Sequence, residues 1–260
     1  MTSTTGEPDP STGRLAGRVC LVLGAASVIG AAVADRFSQE GGIVVGVDRV
    51  DHAVGAHSLQ ADLTDEGQVA GIVDEVVHRC GRIDVLYNNV GFMDPGDGSA
   101  LSTDSDTWQR VLDANLTPVF LACHYGIRQM LAADPPRGSV INAASFLADT
   151  GAATAPMAFS AAKAAVVQLT RDLGVHLARS GVRVNAVLFG PIETPTQRAI
   201  LEADPDTLAA RLIHWPMGRF GTLDEATGTV AFLASDDAGF ITGAAIPLDG
   251  GISRAFTVPD

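Results

Sequence analysis

The chain has 260 residues, 47% of them hydrophobic, and a formal net charge of −13 from 30 acidic and 17 basic residues. That is enough apolar material for one large core, and the acidic balance argues against nucleic acid and anionic membrane surfaces as partners. Three cysteines, Cys20, Cys80 and Cys123, are too few and too widely spaced for a disulfide framework or a cysteine-based zinc site, so a reduced, cytoplasmic setting is expected.

Residues 1–14 are rich in Ser, Thr, Gly, Pro and acid and read as a disordered tail rather than a targeting segment. The weakly polar stretch 19–34 is shorter than the roughly 20 residues a membrane span needs, and Gly24, Ser27 and Gly30 interrupt it. It reads instead as a strand at 18–23, a glycine turn, and a helix over 29–40 stopped by Gly41-Gly42. A second strand at 43–47 ends at Asp48. A helix over 65–79 with a Thr64 cap, a strand at 83–87, and two helical pieces within 106–132 divided near Thr117-Pro118 follow. Beyond a turn at 134–138 come a strand at 139–143, an alanine-rich helix over 157–179 and a strand at 182–188. A loop with short helices at 191–216, a helix over 222–234 and a strand at 245–248 complete the chain. This alternation predicts an α/β fold: a single-domain, Rossmann-like, doubly wound parallel sheet with helices on both faces.

The glycine turn between strand and helix is where backbone N–H groups and a helix N-terminus can approach a pyrophosphate, although the same pattern also serves as an ordinary structural turn. Asp48 can accept hydrogen bonds from ribose hydroxyls and would repel a 2′-phosphate, which favours NAD(H) over NADP(H). Arg49 beside it pulls the other way, and a plain turn residue is the alternative reading of Asp48.

Several ordered pieces form a recognisable set: Leu23-Gly24-Ala25-Ala26-Ser27-Val28-Ile29-Gly30, Ala61-Asp62-Leu63, Asn88-Asn89-Val90-Gly91, Asn115, Ser145, Lys163, Val184-Asn185-Ala186-Val187, Ile192-Glu193-Thr194-Pro195, Gly218-Arg219-Phe220 and Leu248-Asp249-Gly250-Gly251. Together they resemble the short-chain dehydrogenase/reductase family over residues 15–252. The resemblance implies a dinucleotide site formed by Gly24, Ser27, Val28, Ile29, Gly30, Asp48, Asp62, Leu63, Asn89, Lys163, Gly190, Ile192 and Thr194. It also implies a substrate-covering role for 191–216 and a homo-dimer or homo-tetramer built through helices 115–132 and 157–179. In that family a Ser polarises the substrate oxygen, a Tyr transfers the proton, a Lys tunes the Tyr and binds the nicotinamide ribose, and an Asn orders a relay water. The matching residues here are Ser145, Phe159, Lys163 and Asn115.

A phenyl ring at 159 can neither give nor take a proton, so carbonyl reduction by the family's usual route should be crippled. Val28 stands where the family has Gly, and Phe189 where it has Pro. All three changes add apolar bulk and point to a cleft reshaped for a small apolar substrate or a non-redox reaction, with independent drift in a little-used site as the competing reading. Three readings stay open: an oxidoreductase acting on an apolar alcohol or ketone by an altered proton route; a non-redox cyclase, dehydratase or isomerase in the same cleft; and a binding or assembly subunit without catalysis. Asp149, Thr150, His214 and Ser145 itself are candidate replacement proton carriers, although a lone His beside Trp215 is more often a packing residue. No His, Cys or carboxylate grouping has metal-ligand spacing, so no metal is expected.

Overall fold

A computed structural model describes residues 13–151, 156–202 and 205–255; the expected tail at 1–14 lies almost entirely outside the described residues. Seven strands pair in the order β3-β2-β1-β4-β5-β6-β7. They are β1 (Val19–Leu23), β2 (Ile43–Asp48), β3 (His57–Gln60), β4 (Val85–Asn88), β5 (Gly138–Ser145), β6 (Val182–Phe189) and β7 (Ala245–Leu248). Every pairing is parallel. A parallel sheet covered on both faces needs strands that are apolar throughout, and β1, VCLVL, is buried at all five positions.

The helices divide between the two faces. Helices α2 (Glu66–Cys80), α4 (Thr117–Ala132) and α5 (Met157–His176) supply Val69, Val73, Val119, Ala122, Val166 and Val167 to one apolar cluster. Helices α1 (Val28–Gln39) and α8 (Leu223–Ala234) supply Val33, Phe37, Val230 and Leu233 to the other. Between them in sequence lie α3 (Ser105–Asn115), α6 (Pro195–Glu202) and α7 (Pro205–Leu212), the last two within the 191–216 segment. The strand order reverses between β1 and β4, and at such a switch point the loops leaving the carboxyl ends part to leave a crevice.

The elements expected from the sequence are present with boundaries shifted by a few residues, and two corrections have physical causes. Asp65, not Thr64, caps α2: the Asp65 carboxylate accepts from the Gln68 amide at 2.9 Å, while the Thr64 amide and hydroxyl both donate to Asp62 Oδ1, at 2.9 and 2.7 Å. The edge strand β3 was not expected, because HSLQ has no apolar run and alternates half-buried with exposed residues. The helix break falls at Leu116, one residue before Thr117-Pro118, and α8 opens with a reciprocal Thr222/Glu225 capping box. No described helix is long and apolar enough to cross a membrane, and all three cysteines are free.

Candidate active site

At the carboxyl end of β1 the chain turns through Gly24 at φ +76°, and Ser27 caps α1 by accepting from the Gly30 amide at 3.1 Å. Val28 and Ile29 open the helix, and by helix geometry their N–H groups have no intrahelical acceptor. Two glycines permit this closeness. A Cβ at Gly24 would sit 2.3 Å from the Asn89 carbonyl oxygen, and one at Gly30 2.1 Å from that of Gly24. Asn89 stitches the turn to the end of β4, donating from Nδ2 to Ser27 Oγ at 2.8 Å and accepting from the Tyr87 hydroxyl at 2.9 Å.

Asp48 closes over the same turn, its Oδ2 accepting from the Ala26 amide at 3.0 Å. Asp62 turns its Oδ1 onto Thr64, and those hydrogen bonds, helped by nearby Arg49, hold its carboxyl below the usual range. Leu63 is buried in the core. At the far side of the sheet Gly190 donates to the Leu248 carbonyl at 2.9 Å, Ile192 pairs with Gly221, and Thr194 caps the segment entering α6 by accepting from the Gln197 amide at 3.2 Å.

The four residues matched to the family's catalytic set lie on β5, α3 and α5, and α5 packs against both of the other elements. Ser145 ends β5, is 7% exposed, and its Oγ accepts from the Leu147 amide at 3.2 Å. Asn115 is fully buried and clamps Phe92 on both sides, accepting from its amide at 2.9 Å and donating to its carbonyl at 2.8 Å. Lys163, 3% exposed, donates to the carbonyls of Val90 at 2.8 Å and Ala143 at 2.9 Å. Its Nζ stands 5.6 Å from the Phe159 ring centroid, one helical turn back on α5. Burial pulls this amine down to about 8.

Three features of this arrangement are not visible in the motif itself. Asp97 accepts from the Ala158 and Phe159 amides, both at 2.9 Å, and so closes the first turn of α5, where Pro156 offers no side-chain cap. The segment 90–97 is thereby tied to Lys163, Asn115 and α5 together. Lys163 is also the only lysine in the chain, all sixteen other basic residues being arginines, a signal that was available in the sequence.

Val28 is 39% exposed at the tip of α1, whereas Phe189, paired in register with Ser145, packs toward the α1/α8 cluster. Of the candidate proton carriers, Asp149 pairs with Arg254 at 3.1 Å, Thr150 donates to the Phe146 carbonyl at 3.2 Å, and His214 is exposed rather than packed. The two tyrosines are also committed: Tyr87 is buried against Asn89, and Tyr125 donates to Glu66 at 2.8 Å. A cavity of about 510 Å3 lies between α8 and the β6 and β7 ends, lined by Ile192, Trp215, Met217, Phe232 and Leu248 but by none of Asn115, Ser145, Phe159 or Lys163. Among the described residues no group of three or more His, Cys, Asp or Glu could hold a metal ion.

Residues 24–253 match the family model described as Enoyl-(Acyl carrier protein) reductase. The chain is 39% identical over 245 residues to cis-4-hydroxycyclohexanecarboxylate dehydrogenase of Sinomonas cyclohexanicum, covering 90% of this chain and 96% of that relative. It is 34% identical over 251 residues to a 3-oxoacyl-(acyl-carrier-protein) reductase of Thermotoga maritima, covering 92% and 99% respectively. Among solved structures, the ligand-free aldohexose dehydrogenase of Thermoplasma acidophilum superposes with a TM-score of 0.84 at 31% identity, over 98% of this chain and 100% of that one.

Proposed function

Because the chain belongs to the short-chain dehydrogenase/reductase family, we propose that it interconverts a small apolar alcohol and ketone with NAD(H), moving the proton by a route that does not use a tyrosine. The cofactor preference rests on one observation, the Asp48 carboxylate held over the phosphate turn by the Ala26 amide. Fixed there, it offers acceptors to ribose hydroxyls and repels a 2′-phosphate. Arg49 bears electrostatically on Asp62, which weakens its claim as a phosphate ligand.

The donor set suits a dinucleotide. The free amides of Val28 and Ile29 and the positive end of α1 would hold the pyrophosphate, with Asp62 and Leu63 beside the adenine and Gly190, Ile192 and Thr194 toward the nicotinamide. When bound, the cofactor supplies or accepts the two electrons of the reaction. Ser145 would orient the substrate oxygen, and Asn115 and Lys163 fix the 90–92 backbone beside it. We assign segment 191–216 to covering the substrate, and a homo-oligomer in a cytoplasmic setting as the working form.

Titrating the protein with NADH and NADPH, following nicotinamide fluorescence, tests the cofactor assignment. NADH should saturate at the lower concentration; tighter NADPH binding, or no saturation by either at millimolar concentration, would overturn it. Phe159→Tyr should then raise NADH-dependent ketone reduction by about 10²- to 10⁴-fold, the usual worth of a positioned acid.

A further inference from the structure

Arginine keeps its proton at any pH a protein survives, whereas a lysine removed from water can surrender one. In this chain the sole lysine is the buried one at the site, one turn from the ring that lacks a hydroxyl. Two of its three N–H donors are spent on the carbonyls of Val90, just after β4, and Ala143, near the end of β5. One donor is left over, and among the described residues no carboxylate forms an ion pair with the ammonium. Several charged groups on the elements around it have partners of their own. Asp97 is bound to the α5 amides, Asp94 to Arg110, Asp113 to Gln109 and Asp149 to Arg254. Arg183 on β6 donates to the Leu233 and Ser235 carbonyls, and Asp249 after β7 accepts from the Gly251 and Ser253 amides.

We propose that Lys163 is itself the proton donor and acceptor of this site, relaying through one water to the substrate oxygen that Ser145 orients. In the family's usual scheme the lysine tunes a phenol; here it does the phenol's work. The inference rests on the oxidoreductase reading above. In the reductive direction the C=O π bond breaks, and the carbonyl carbon gains a hydrogen with two electrons from the reduced nicotinamide. The oxygen gains the Lys163 proton, and solvent returns a proton to the neutral amine. In the oxidative direction the neutral amine takes the alcohol proton. An amine pulled down to about 8 by burial can occupy either state near neutral pH, as a general acid and base must.

Having one lysine makes the test direct. Full-length protein labelled with 13C at lysine Cε carries a single resonance of that kind, so its pH titration reads Lys163 without cofactor or substrate. A midpoint near 8 is expected, and an ordinary midpoint near about 10.4 overturns the proposal. With NADH and cyclohexanone, the reduction rate should fall as pH rises through that same midpoint. Lys163→Arg, which keeps charge and donors but cannot release a proton, should lose about 100-fold or more in kcat measured at saturating NADH. Phe159→Tyr should turn over faster and lose the pH break near the lysine midpoint. Retained kcat in Lys163→Arg, a rate flat across the NMR midpoint, or no turnover at all with NADH bound overturns the lysine assignment and leaves cofactor use standing. Absence of NADH binding removes both, and the fluorescence titration tells that failure from the others.

Discussion

Replacing Lys163 by Met tests the energetics of burying this amine independently of any activity. In the folded chain burial lowers the ammonium to about 8, whereas an unfolded lysine titrates near about 10.4. Between those values the unfolded chain holds a proton that the folded chain has released, so stability rises with pH. Below the folded value both states are protonated and the native state bears the whole cost of the dehydrated charge. From about pH 7 to about pH 9.5 the linkage amounts to about 2 kcal/mol in favour of the folded wild type. Two thiols oppose it: burial raises Cys20 and Cys123, the latter to about 12, so above their unfolded value of about 8.5 they make stability fall with pH. Both thiols remain in Lys163→Met, and the difference between the two proteins isolates the lysine. Met also leaves the Val90 and Ala143 carbonyls without their donor, a cost of about 1–3 kcal/mol each that does not depend on pH. Urea unfolding followed by tryptophan fluorescence, at one protein concentration and several pH values, gives both curves. The gap between them should move by about 2 kcal/mol toward the wild type over that range. Parallel curves would refute the claim that the buried amine is the titrating group.

Two further changes probe the frame of the site. Asp97→Ala removes both acceptors from the first turn of α5 and should cost about 1–2 kcal/mol in urea unfolding, with Asp97→Asn recovering part of it; an unchanged midpoint would mean the carboxylate is incidental to the helix. Val28→Gly removes a β-branched side chain beside the amides that would meet the pyrophosphate. NADH should bind about 3- to 10-fold tighter by fluorescence titration, and an unchanged Kd would show that the valine stands clear of the phosphates.

Local chemistry made much of the fold legible. The glycine turn after β1, the proline-marked break between α3 and α4 and the four apolar residues of β7 are each set by residues adjacent in sequence, whose φ preferences act within a turn or two. Motif order likewise named Ser145, Lys163 and Asn115 and exposed the anomaly at Phe159. The edge strand β3 escaped because its pairing to β2 rests on backbone groups in a stretch without an apolar signature.

The sequence by itself therefore determined the architecture and named the candidate residues, a phenyl ring at 159 among them. Tertiary structure decided what those residues touch. That Asn115 grips Phe92, that Lys163 bridges Val90 and Ala143, that Asp97 seals α5 and that Phe189 faces the α8 side all depend on which loops meet. The groups gripped in the first two are backbone amides and carbonyls, which no sequence pattern distinguishes. The lysine's lowered affinity for its proton has the same origin: charge is written in the sequence, but exclusion of water exists only once the chain has closed around it.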